Sequence, residues 1–128
     1  MFKYLNLNPY NNNVDDCVIR AVALIEGSSW NEVFYKLADI AFEQKAMLGT
    51  NRVWDAYLRQ NGYKRYIIPN SCPECYTVRD FCTDNNEGSY LLATGTHVVT
   101  VIDGTYYDTI DCGDEVPIWY YERSARGI

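Results

Sequence analysis

The sequence predicts an α+β protein in which N-terminal helices pack on a C-terminal antiparallel β-sheet. Two observations predict it. Apolar residues recur at helical spacing through the first half of the chain and then switch to short β-rich runs punctuated by turn residues. At 128 residues with 48% apolar content, the chain has material for one core, so 1–128 is expected to form a single compact domain.

Asp15-Asp16 precede Cys17-Val18-Ile19-Arg20-Ala21-Val22-Ala23-Leu24-Ile25-Glu26, and Gly27 follows. Asp suits the position before a helix and Gly the position after one. Apolar side chains run almost all the way round, which predicts a helix buried on most sides. Ser29-Trp30-Asn31-Glu32 spells a capping box, and Trp30, Val33, Phe34, Leu37 and Ala41 then continue as an amphipathic helix to about Met47. A third helix is expected from Asn51 through Val53, Trp54, Tyr57 and Leu58 to Gly62. Tyr63 to Ile68 reads as a strand ended by Pro69, and Thr77 as the cap of a short helix holding Val78 and Phe81. Four β-rich runs follow: Ser89 to Thr94, His97 to Ile102, Thr105 to Ile110 and Pro117 to Glu122.

Composition narrows the function. Eleven basic against seventeen acidic residues give a net charge of −6, which excludes a broad basic face for a nucleic-acid backbone. The apolar run around Val18 to Ile25 is broken by Arg20 and too short to span a bilayer, so no membrane partner is expected. Met1-Phe2-Lys3-Tyr4 lacks the layout of a signal peptide, and a cytoplasmic location is the expectation. Five Cys, an odd number without a secretion signal, read as thiols and not as a disulfide framework. No phosphate loop or dinucleotide fingerprint occurs, and no cofactor is expected.

Cys17 falls in the first turn of the most buried helix. Unpaired N–H groups and the helix dipole favour an anion there, which suits a nucleophilic thiolate; the competing role is that of a small buried hydrophobe. His97 is the only His, and thiol acyl transfer needs an imidazole as acid and base. Ile102-Asp103-Gly104-Thr105 signals a two-residue hairpin. With Asp103-Gly104 at the turn, Val101 opposes Tyr106 and Val99 opposes Asp108. His97 and Asp108 then share a face one diagonal apart, roughly 7–8 Å between backbones, so Asp108 can orient the imidazole. Asp111 is turned to the opposite face.

The order Cys, His, Asp resembles the papain-like cysteine peptidases. It is closer to the small peptidases that process double-glycine leader peptides and to compact phage and bacterial proteins of that layout. Asp16-Cys17-Val18-Ile19-Arg20-Ala21, His97-Val98-Val99 and Asp103-Gly104-Thr105-Tyr106-Tyr107-Asp108-Thr109 carry the resemblance. It implies a papain-like cysteine proteinase fold and a cysteine peptidase or related thiol acyl hydrolase acting on a peptide or protein substrate. Cys17 would be the nucleophile, His97 the acid and base, and Asp108 the orienter. Position 11, six residues before Cys17, holds Asn where those peptidases hold a Gln of the oxyanion hole. Asn11 can offer the same amide donors, or serve as a polar turn leading into the helix.

Cys72-Pro73-Glu74-Cys75 is the remaining signal. With Cys82 and Cys112 it could complete a tetrahedral zinc site, although plain thiols or an incidental disulfide fit the spacing better. Two rival functions therefore stand beside the hydrolase: an inactive papain-like module binding a peptide or protein, and a small zinc-stabilised interaction domain.

Overall fold

The computed structural model describes residues 1–123. The chain runs β1 (Phe2–Tyr4), α1 (Cys17–Glu26), α2 (Trp30–Gln44), α3 (Asn51–Gln60), β2 (Lys64–Ile67), α4 (Val78–Asp84), β3 (Ser89–Ala93), β4 (Val98–Ile102), β5 (Thr105–Asp108) and β6 (Trp119–Glu122). The architecture is α+β, with one open six-stranded sheet in the order β1-β5-β4-β3-β6-β2. Among the described residues, no helix is long and apolar enough to cross a membrane.

Local chemistry sets the helix ends. Gly27 takes the left-handed conformation (φ 65°) that lets its N–H reach back to the carbonyls closing α1. Ser29 accepts from the Glu32 N–H at 3.1 Å and so starts α2. Thr77 and Asp80 exchange side-chain and backbone bonds in a full capping box at α4. The second helix stops short of the expected Met47 because Lys45 adopts the left-handed conformation (φ 55°) and ends it at Gln44.

Alternation along the strands divides the core in two. Leu91, Ala93, Val98 and Tyr121 face α1, α2 and α3, joining Val22, Val33, Leu37, Val53, Trp54 and Leu58. Leu92, Val99, Val101 and Tyr106 face the other way and pack with Val78, Phe81, Cys82 and Cys112 around α4. Thr100 sits buried on the α1 face, where its hydroxyl donates to the Ala21 carbonyl at 2.7 Å. That bond ties β4 directly to the helix that begins with Cys17.

The hairpin forms as the sequence predicts. Asp103 (φ 49°) and Gly104 (φ 80°) occupy the turn, and Ile102 pairs with Thr105, Val101 with Tyr106 and Thr100 with Tyr107. The expected all-antiparallel sheet requires correction. Phe2–Tyr4 forms an unforeseen edge strand, parallel to β5 with Tyr4 opposite Asp108. Three residues carry too little periodicity to announce a strand, and a parallel partner so distant in sequence leaves no turn signal.

Candidate active site

Cys17 is the first residue of α1, as its position after Asp16 predicts. Asp16 does not cap the helix with its side chain. Its carboxylate turns aside instead: Oδ1 accepts from Arg20 Nε at 2.9 Å, and Oδ2 accepts from Asn8 Nδ2 at 3.0 Å and Trp30 Nε1 at 2.9 Å. Asp16 is 5% exposed, so three donors around one buried charge account for its tolerance there. The first-turn N–H groups of α1 therefore receive no side-chain cap and stay available to an anion.

His97 lies immediately before β4 and Asp108 closes β5, so both stand at the same end of the sheet. His97 Nε2 is in direct hydrogen-bonded contact with Asp108 Oδ2. The other carboxylate oxygen, Oδ1, accepts from Arg20 Nη1 at 3.1 Å and from the Thr109 N–H at 2.7 Å. Arg20 thus bridges Asp16 and Asp108, joining the start of α1 to the end of β5. A half-buried guanidinium that donates from Nε to one carboxylate and from Nη1 to the other holds both acids in place through charge-assisted bonds. Asp111 takes no part: it accepts from Tyr106 and the Gly113 N–H and pairs with Arg79.

The charges follow from these contacts. The Asp108 hydrogen bond, helped by contacts to Cys112 and Cys17, pushes the His97 imidazolium up to about 12 against the cost of burial. Burial opposes ionisation of Asp108, but His97, the Thr109 N–H and Arg20 together hold its carboxyl below the usual range. Burial pushes the Cys112 thiol up.

Cys17 and His97 line one cleft, together with Asp15, Val18, Gly95, Trp54 and Trp119. The two indoles stack with ring centroids 6.0 Å apart and make an apolar wall beside the thiol. Asn11 is not among the residues lining this cleft. It adopts a left-handed turn conformation (φ 51°) and borders a separate surface depression with Asn12, Asn13, Arg20 and Thr109. The turn role of Asn11 is the one its backbone fits.

The four remaining cysteines do not gather into a zinc site. Cys72 and Cys75 are bonded to each other, with Cα atoms 4.1 Å apart, so of the two expected states of this pair it is the disulfide, and not plain thiols, that forms. Cys82 and Cys112 are buried in the core around α4. Among the described residues, the only trio of His, Cys or acidic side chains close enough to share a metal ion is His97, Asp108 and Cys112.

Two members of this centre escape the sequence reading. Arg20 carries a signal: it is the one charge inside the apolar run of α1, spaced i, i+4 from Asp16. Cys112 is read from the sequence only as a candidate ligand beside Cys72, Cys75 and Cys82. Nothing there places it at this centre, since only the return of the chain after β5 brings its thiol 3.7 Å from Asp108 Oδ2. Comparison with protein-family models, with curated proteins and with solved structures finds no match to this chain.

Proposed function

We propose that the protein is a cysteine hydrolase of papain-like design, cleaving a peptide or related acyl bond through Cys17, His97 and Asp108. One observation carries the reading: a thiol at an uncapped helix start and an imidazole held by a buried carboxylate line the same cleft, and the thiol is among the groups that raise the imidazole.

The steps follow from the side chains. The Cys17 thiolate attacks the carbonyl carbon of a substrate lying in the cleft, and the carbonyl π electrons move to oxygen. That oxyanion meets the N–H groups of the first turn of α1, which act as fixed donors without reorganisation. Collapse expels the amine, which takes a proton from the His97 imidazolium and leaves an acyl thioester on Cys17. Neutral His97 then takes a proton from water as its oxygen attacks the thioester, and the carboxylic acid departs. Asp108 holds the ring throughout and stabilises its charged form, while Arg20 and the Thr109 N–H hold Asp108. The indole wall of Trp54 and Trp119 suits an apolar side chain next to the scissile bond.

An activated aryl ester tests the proposal without knowledge of the natural substrate. Intact-mass analysis should reveal one acyl group on Cys17, with release of the phenol continuing beyond one equivalent. Replacing His97 by Gln should sharply slow both acylation and deacylation. A folded protein that never acylates at Cys17 would instead favour the peptide-binding module.

A further inference from the structure

We infer that His97, Asp108 and Cys112 form a binding site for a thiophilic divalent cation of the zinc type, and that its occupancy silences Cys17. The regulatory half rests on the proposed hydrolase; the binding half does not.

Cys112 is the observation that demands an explanation. The hydrolytic steps make no use of it, yet its thiol is buried against the two residues those steps need most. The three groups offer nitrogen, oxygen and sulfur, with donor atoms all within 4.8 Å of one another. This mixed set suits zinc better than calcium or magnesium, which prefer oxygen alone. Neutral imidazole, carboxylate and thiolate carry two negative charges together, which balance the cation.

The geometry requires little movement. Tetrahedral zinc with ordinary bond lengths places sulfur and oxygen ligands about 3.6 Å apart. Cys112 Sγ and Asp108 Oδ2 already stand at 3.7 Å. His97 Nε2 and Asp108 Oδ2 are closer than such a site needs and must separate to about 3.4 Å. His97 is the least buried of the three, so a small ring movement accommodates this. The proton between the ring and the carboxylate and the Cys112 thiol proton both leave to solvent as the ion enters. Asp108 Oδ1 keeps its bonds to Arg20 and Thr109, the outer support that metal-ligating carboxylates commonly have. Three protein ligands leave a fourth position for water. With its ring nitrogen on the ion, His97 can no longer exchange protons with a substrate.

Cobalt supplies the test, because thiolate-bound Co²⁺ gives a near-ultraviolet charge-transfer band. Titration of the full chain without reductant should produce this band, and Zn²⁺ should displace it. Cys112→Ser should abolish the band and weaken binding on the order of 10–100-fold or more. Cys17→Ser and the double variant Cys72→Ser/Cys75→Ser should retain it. Should Cys112→Ser fail to fold by circular dichroism, His97→Gln decides, and must lose tight binding. Absence of a band in the wild type overturns the site, as does its loss in either control or its survival in Cys112→Ser. Zinc should also block acylation of Cys17, with recovery on chelation. Aryl-ester acylation without any cobalt band refutes the metal site and spares the hydrolase. A cobalt band in a protein that never acylates does the reverse.

Discussion

His97 and Asp108 form an ion pair whose strength is written into stability as well as chemistry. Because the folded pKa of His97 lies above its unfolded value, the His97 contribution is complete below the unfolded pKa near 6.5 and fades as pH rises toward about 12. Asp108 behaves oppositely: its lowered pKa adds stability above the ordinary carboxyl range, which is lost on acidification through its folded pKa. Thermal melts of wild type and His97→Gln should therefore differ most near about pH 5–6, and the gap should narrow steadily as pH rises above about 7. A gap independent of pH would mean that the ring packs but does not pair. The two nearby acids separate in the same manner. Asp108→Asn should lower acylation strongly while the protein stays folded, whereas Asp111→Asn, whose partners are Tyr106, Gly113 and Arg79, should leave it near wild type. The sequence identifies Asp108 through hairpin register alone. Arg20 is legible only as an oddity, because what it bridges depends on two elements meeting in space.

Helix α1 serves the core along its length and the site at its tip. Val18, Val22 and Ile25 form a stripe that is 8%, 0% and 4% exposed. Val22→Ala should cost about 1–3 kcal/mol in a urea melt, through lost burial and an incompletely collapsed cavity. Cys17→Ser changes one atom at the cleft and should leave the midpoint nearly unmoved while abolishing acylation. Equal losses in the two variants would make Cys17 packing material. Hydrophobic period and end signals make the helix and its Gly27 stop readable in advance. The turned-away Asp16 side chain is not readable. A capping preference is local, and Arg20, Asn8 and Trp30 together outbid it for the same carboxylate.

At the scale of the molecule, the site sits at one end of the sheet beside the start of α1, and the chain leaving the edge strand β1 ties down the end of β5. The Leu5 N–H donates to the Asp108 carbonyl at 3.0 Å, fixing the backbone that carries the orienter. Leu5→Pro removes this donor and should cost about 1 kcal/mol or more, with a fall in Cys17 reactivity larger than Val22→Ala causes. Helical and β-rich halves, the hairpin register and the pairing of His97 with Asp108 can be read from residue order. The parallel edge strand and the arrival of Cys112 cannot, because both depend on contacts between distant segments. The central claim is that His97 activates Cys17, and the alkylation rate of Cys17 tests it most directly. Under limiting iodoacetamide near neutral pH, peptide mapping should find Cys17 labelled faster than a free thiol such as glutathione, and the advantage should vanish in folded His97→Gln. A Cys17 that reacts no faster than glutathione, or at the same rate with and without His97, would contradict the account.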